Sequence, residues 1–228
     1  MGSAFAVGFA SAAVLVFAAA FPIVNPAGSA LIFLEITRNF GHEVREHLAR
    51  KIAFYSFLIL NGSLFVGSYV LEFFGISVPA LRIAGGVVVA AAAWRLLQQP
   101  GENEPAKEDA ASKLPSPERL SGMAFYPFTL PLTTGPGTIS VMIALGTSHT
   151  SRDPIQHRIE FDLAALLANA VLTLMVYLCF AYADRIRHVL GNTGTSIALR
   201  LSAFILLCIG VQILGSGFGE FLGALKLH

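Results

Sequence analysis

Charged residues are scarce in this chain. Asp, Glu, Lys and Arg make up 13% of its 228 residues, whereas 55% are hydrophobic and the mean hydropathy is +0.68. A soluble globular domain has about a quarter of its residues charged. The composition therefore excludes an ordinary soluble protein and predicts an integral membrane protein. Because the net charge is only +1 and Lys and Arg form no cluster, we expect no nucleic acid partner.

Signatures of an enzyme, a metal site or an ATP-driven pump are also missing. The histidines fall in predicted loops or in the tail, without a second ligand at metal-binding spacing, and we find no Ser/His/Asp set or Walker motif. Cys179 and Cys208 lie in apolar runs, which is typical of small buried side chains rather than of a disulfide framework. We predict no enzyme, no catalytic residue, no metal and no cofactor, with only a coupling proton or sodium ion left open.

The first apolar run, residues 5–37, has no Lys or Arg before it. A cleaved signal peptide needs a positive region there, so we expect Met1 onward to be retained. A straight helix over this run would measure roughly 50 Å, whereas the hydrocarbon core of a bilayer is about 30 Å thick. The excess length predicts a break in the helix.

Two segments of the sequence contain helix-breaking residues in the same order. In FPIVNPAGSALIFLEIT, residues 21–37, Asn25 is a good N-cap and Pro26 suits the first helical position. In PLTTGPGTISVMIAL, residues 131–145, Gly135 and Pro136 take the same places. Each segment predicts a half-helix that starts near the bilayer midplane. The alternative is that the prolines merely kink continuous helices, which transmembrane helices tolerate.

The recurrence of the breaks predicts that the chain consists of two related halves. Residues 80–83, ALRI, match residues 198–201, ALRL, which is a second sign of the repeat. We predict an all-α membrane protein with six transmembrane helices in two inverted three-helix repeats, the first and fourth helices being interrupted. The single domain, 1–228, divides into a first repeat 1–97, a flexible cytoplasmic linker 98–120 rich in Pro and charge, and a second repeat 121–228. The predicted spans are residues 5–37, 52–74, 81–97, 122–148, 161–182 and 198–217, with a charged loop at 38–51.

The distribution of Lys and Arg predicts the orientation. Most of them fall in the linker and in the loops on its side of the bilayer. Positively charged loops remain in the cytoplasm, so both termini are predicted to be periplasmic and the linker cytoplasmic.

The starts of the two half-helices form the predicted binding site. Unpaired amides and a partial positive charge at a helix start suit a carboxylate, and neighbouring hydroxyl groups could hydrogen-bond a solute or merely their own helix. The predicted substrate-binding residues are Asn25, Pro26, Gly28, Ser29, Thr134, Gly135, Pro136, Gly137 and Thr138, with Thr133 and Ser140 as further candidates for lining the cavity.

Two asparagines inside predicted spans, Asn61 and Asn169, are candidates for a supporting role. An amide in lipid needs a hydrogen-bond partner, so they either brace the breaks or form a plain interhelical bond. The acids considered, Glu35, Glu72, Asp162 and Asp184, lie near predicted span ends, and of these we consider Glu35 as a coupling site.

These residues resemble the MarC family of bacterial multi-pass inner-membrane proteins, over essentially the whole chain. Asn25, Pro26 and Gly28 match its first motif, and residues 135–138, GPGT, match its second. The resemblance implies a relation to neutral amino-acid transporters and a small zwitterionic substrate such as glycine or alanine. The chain departs from the family pattern at Glu35 and at residues 133–134, which leaves the choice of substrate open.

The sequence therefore predicts a secondary transporter of a small neutral amino acid, or a related small solute, that works by alternating access in the bacterial inner membrane. A passive channel or an exporter is one alternative. The other is a non-transporting membrane scaffold, in which Gly85 and Gly86 would form an oligomerisation face. The expected partners are the solute, the lipid bilayer and, as an open alternative, further copies of the chain.

Overall fold

The computed structural model of the chain describes residues 2–37, 40–98, 122–148 and 155–225. These residues form helices and short connections and contain no strand, so the predicted all-α class is confirmed. The linker predicted at 98–120 lies, beyond Gln98, outside the described residues. The helices are α1 (Gly2–Val24), α2 (Pro26–Ile36), α3 (His42–Phe73), α4 (Val78–Leu97), α5 (Ala124–Thr133), α6 (Pro136–Ser148), α7 (Ile155–Ala181) and α8 (Ala183–Leu225).

Several of these helices are membrane-spanning in length and composition. Five helical stretches qualify, and α5 and α6 are not among them because the interruption leaves two short pieces. Large apolar side chains such as Phe54, Leu163 and Leu201 are about half exposed on the outside of the bundle, where lipid would cover them. The five stretches are Ala6–Leu34, His42–Phe73, Val78–Leu97, Ile155–Ala181 and Thr193–Gly223.

The prediction of a charged loop at 38–51 is wrong over most of this range, because α3 already begins at His42. Leu48, Ala49 and Ile52 are buried on one face of this first part of α3. The side chains of Glu46 and Arg50 pair four residues apart, with 3.0 Å between oxygen and nitrogen, which stabilises a helix. The helix thus extends beyond its apolar stretch, since an amphipathic face and local ion pairs replace continuous hydrophobicity.

The break between α1 and α2 lies where the sequence predicts it. Asn25 is the one described non-glycine residue with a positive φ, at φ 43° and ψ 64°. Its side-chain oxygen accepts a hydrogen bond from the backbone N–H of Gly28 at 3.3 Å, and Pro26 is the first residue of α2. Asparagine tolerates the left-handed conformation better than most residues, so the sequence encodes this break locally.

The second interruption is more irregular than predicted. The segment α5 is wound as a π-helix with non-helical dihedral angles at Tyr126 and Leu130, and α6 begins at Pro136. Pro127 and Pro131 have no backbone N–H to donate, so the α-helical hydrogen-bond pattern cannot continue. The hydroxyl of Thr129 donates instead to the carbonyl five residues earlier, at 2.7 Å.

Helices α4 and α8 pack with their backbones in contact. A Cβ on Gly86 would lie 2.5 Å from the backbone nitrogen of Leu214, and one on Gly210 would lie 2.6 Å from that of Ala90. Gly85 faces the hydroxyl of Ser140 in α6. The oligomerisation face suggested for Gly85 and Gly86 is therefore wrong, because both glycines pack against helices of their own chain.

An aromatic cluster fixes the first half-helix against the rest of the bundle. The ring of Phe33 in α2 lies 5.1 Å from that of Phe128 in α5 and 4.8 Å from that of Phe180 in α7, between centroids. All three side chains are almost fully buried. Aromatic pairs at these separations are favourable beyond the area that they bury, so the cluster holds α2, α5 and α7 together.

Candidate functional site

The two helix breaks lie side by side. The hydroxyl of Ser29, in the first turn of α2, is within donating distance of two carbonyl oxygens, that of Val24 at 3.1 Å and that of Leu132 at 3.2 Å. Val24 ends α1 and Leu132 lies next to the last residue of α5. One buried side chain thus links the first break to the second.

Two small cavities flank this contact. One, of ≈ 20 Å³, is lined by Asn25, Ser29 and Ser202, among others, and the second, of ≈ 30 Å³, by Gly135 and Thr138. A buried water needs about 10–15 Å³, so each cavity has room for one or two waters and neither for an amino acid. The breaks are in a closed conformation. Ile23, Leu132 and Leu206 line both cavities.

The hydroxyl groups at the second break divide into two kinds. Those of Thr133 and Ser140 donate to backbone carbonyls five and three residues earlier, both at 2.8 Å. Those of Thr134 and Thr138 are fully buried and have no hydrogen-bond partner in the described part of the chain. A buried hydroxyl without a partner costs about 1–3 kcal/mol, so these two groups are available to a bound solute or water.

The prolines and glycines of the predicted site shape the first turns of both half-helices. Pro26 and Pro136 are the first residues of α2 and α6. A Cβ on Gly28 would lie 2.9 Å from the Cβ of Ser202 in α8, and one on Gly137 would collide with Val89 in α4. Both turns are therefore packed closely against α8 and α4, and a side chain at either glycine would push them away.

The two asparagines predicted to have a supporting role form a hydrogen bond with each other. The amide nitrogen of Asn169 donates to the side-chain oxygen of Asn61 at 3.1 Å, and the amide nitrogen of Asn61 donates to the carbonyl of Phe57 at 2.8 Å. The oxygen of Asn169 has no partner within the described residues. The pair joins α3 to α7, and the hydrogen bonds described for it do not extend to α2 or α6.

This pair leads to a testable expectation. Asn61→Leu or Asn169→Leu alone leaves the other amide without its partner, whereas the double variant removes both polar groups. We expect a coupling free energy of about 1 kcal/mol between the two sites, as for other hydrogen bonds between membrane helices. Thermal unfolding of the four proteins in detergent measures it, and strictly additive effects would contradict the hydrogen bond.

The sequence interpretation missed Glu160. This carboxyl group is only 7% exposed, lies against Gly8 of α1 and has one oxygen without a hydrogen-bond partner in the described part of the chain; the other oxygen is 3.6 Å from Nδ1 of His157. The fifth span was predicted to begin at residue 161, but α7 begins at Ile155. Glu160 therefore falls one residue outside the predicted span, although in the structure it lies within α7, and an acid inside a membrane helix is a candidate functional group.

Of the acids considered from the sequence, the structure describes the side chain of Asp184 but not that of Glu35. Asp184 pairs with the guanidinium of Arg45 at 2.8 Å, which joins the start of α3 to the start of α8. The side chain of Glu35 lies outside the described part of the structure, so its suggested coupling role stays a prediction.

An all-helical bundle with several membrane-spanning helices and two interrupted helices that meet inside it defines a multi-pass integral membrane protein. More specifically, the chain belongs to the MarC family: the model of the MarC family integral membrane protein matches residues 10–222. The resemblance stated from the sequence is thus confirmed.

Relatives of the chain have similar length. It is 32% identical to the UPF0056 inner membrane protein MarC of Salmonella paratyphi A, over 88% of this chain and 91% of the relative. It is 30% identical to a UPF0056 membrane protein of Archaeoglobus fulgidus, over 92% and 94%. No solved structure matches the chain.

Proposed function

We propose that this chain is a secondary transporter that moves a small neutral amino acid, such as glycine or alanine, or a related small solute, across the bacterial inner membrane by alternating access. The main observation in support is that the two interrupted helices meet, and that the buried hydroxyls of Thr134 and Thr138 at the second break have no hydrogen-bond partner among the described residues. Irregular backbone at membrane depth persists only where it is buried in protein or lines a cavity. Broken helices at the midplane are typical of the substrate sites of secondary transporters.

In this proposal the half-helix starts bind the carboxylate of the solute. Pro26 and Pro136 fix the first turns of α2 and α6, whose following amides point towards the breaks. The partial positive charge of a helix start favours an anion there. The hydroxyls of Ser29, Thr134 and Thr138 would complete the site, and the proposal involves no catalytic step.

We further propose six spans in two inverted repeats, in which α5 and α6 together form the span that is missing from the five membrane-spanning stretches. The helix packing supports this. In the two proposed repeats α2 corresponds to α6, α3 to α7 and α4 to α8. The contact between α3 and α6 then corresponds to the contact between α7 and α2, and the contact between α4 and α6 corresponds to that between α8 and α2. The contacts of α3 with α7 and of α4 with α8 map onto themselves. Such a pattern is expected of two repeats related by a pseudo-two-fold axis.

The closed breaks fit one state of an alternating-access cycle. Cavities of ≈ 20 and ≈ 30 Å³ are too small for an amino acid, so binding requires α2 and α6 to separate from their neighbours. Rocking of one repeat against the other would open the site to one side at a time. The proposed orientation, with both termini periplasmic and the linker cytoplasmic, follows from the distribution of Lys and Arg.

Uptake into vesicles tests this function. We expect purified protein in liposomes to accumulate radiolabelled glycine or alanine saturably when a proton or sodium gradient is imposed, and the effective gradient identifies the coupling ion. Flux that does not saturate and needs no gradient would indicate a passive channel. If vesicles that contain folded protein take up neither solute, the proposed substrate is wrong.

A further inference from the structure

A third, larger cavity lies at the end of the bundle where α3 and α6 end and α7 begins. Its volume is ≈ 690 Å³, within the range of about 300–1,000 Å³ that small-molecule sites occupy. Residues from four helices, α3, α4, α6 and α7, and from the turn between α3 and α4 form its wall. The polar and charged ones are Ser68, Tyr69, Glu72, Ser77, Thr147, Arg158 and Asp162.

Charges of both signs face this cavity. Glu72 comes from α3, and Arg158 and Asp162 come from the first turns of α7. None of the three forms an ion pair within the described residues, whereas Arg45 pairs with Asp184 and Arg82 pairs with Glu220 elsewhere at the ends of the bundle. A guanidinium binds carboxylates well, and a carboxylate binds ammonium groups. The wall is therefore complementary to a ligand that has both groups.

The helix α6 connects this cavity with the breaks. It starts at Pro136, beside the second break, and its Thr147 lines the cavity, a distance of about 16 Å along the helix. Between the two, α6 and α3 are in direct contact: a Cβ on Gly67 would collide with Ile143, and one on Gly146 with the carbonyl of Leu64. These contacts separate the cavity from the break in the present conformation.

We propose that this cavity is a vestibule that binds small amphoteric molecules, with Arg158 binding the carboxylate and Glu72 and Asp162 binding the ammonium group. The further proposal that a solute binds in this vestibule before it reaches the breaks rests on the proposed transport function. The binding itself does not, because it depends only on the charges and volume of this cavity.

The test uses a cysteine inside the vestibule. In the full chain with Cys179 and Cys208 replaced by alanine, Thr147→Cys reports access, and the rate of labelling by a charged methanethiosulfonate reagent is measured in detergent. Glycine is expected to slow labelling in proportion to 1 + [L]/Kd, hence about tenfold at a concentration near nine times Kd. Glycinamide, which lacks the carboxylate, and N-acetylglycine, which lacks the ammonium group, should protect far less.

Charge variants identify the groups responsible. Arg158→Gln, and separately Glu72→Gln combined with Asp162→Asn, should abolish protection by glycine, whereas Arg95→Gln, which does not line the cavity, should leave it unchanged. Equal protection by all three solutes, or no protection by glycine, would overturn the proposal. So would failure to label both Thr147→Cys and a second reporter, Ser68→Cys. If glycine protects the cysteine but is not taken up into liposomes, the vestibule is supported and transport of glycine is refuted. If glycine is taken up but does not protect the cysteine, transport is supported and the vestibule is refuted.

Discussion

Uptake of glycine or alanine is expected to fall to the level of protein-free vesicles when leucine replaces Asn25 or Gly135. Leucine at Asn25 removes the oxygen that caps the amide of Gly28 and places an apolar side chain where Ser29 and Ser202 line the first cavity. Leucine at Gly135 would fill the second cavity, of ≈ 30 Å³, beside Thr138. Both changes leave the apolar spans intact, so the proteins should still insert.

Matched variants separate the site from the fold. Leucine in the left-handed conformation of Asn25, at φ 43°, is disfavoured by about 1–2 kcal/mol, and loss of the cap adds about 1 kcal/mol. Asn25→Gly removes the same oxygen without the backbone strain, and Gly135→Ala adds only a methyl group. Uptake should decline in the order wild type, small substitution, leucine, with size-exclusion profiles unchanged. Full uptake by both leucine variants would refute the assignment of the site.

Gly86→Val is expected to have the largest effect on stability. A Cβ at this position would lie 2.5 Å from the backbone nitrogen of Leu214 and 2.8 Å from the carbonyl oxygen of Gly210. Backbone atoms cannot rotate away as a side chain can, so α4 and α8 would have to separate along their contact. We expect destabilisation of about 3 kcal/mol or more, at or beyond the upper end of usual overpacking costs.

The control for this prediction is Gly62→Val in α3, where an added Cβ has no neighbouring heavy atom within 4 Å among those described. Both substitutions replace a helical glycine by the same branched residue, so their intrinsic helix preferences cancel. Thermal unfolding and the monodisperse fraction in detergent compare the two variants. Equal stabilities would show that the contact between α4 and α8 is looser than the structure indicates.

The extent of each helix was harder to predict than its presence. Hydropathy located the cores of α3 and α7 but not their charged first turns, because those turns are stabilised by a buried face and by ion pairs such as that of Glu46 with Arg50. Glu160 was missed for the same reason, because it lies in the charged first turns of α7 that hydropathy did not locate. The π-helical winding of α5 was also missed, although Pro127 and Pro131 explain afterwards why α-helical hydrogen bonds fail there.

The sequence by itself determined that this is a membrane protein of the MarC family and where its helices break. Hydropathy, the absent N–H of proline and the tolerance of Asn25 for a left-handed conformation are properties of single residues or short segments. Only the tertiary structure decided that Ser29 reaches the carbonyl of Leu132, that Thr134 and Thr138 lack hydrogen-bond partners within the described part of the chain, and that Gly86 meets Leu214. These relations join residues that lie far apart in the chain, or depend on everything packed around one side chain, and no local pattern encodes them.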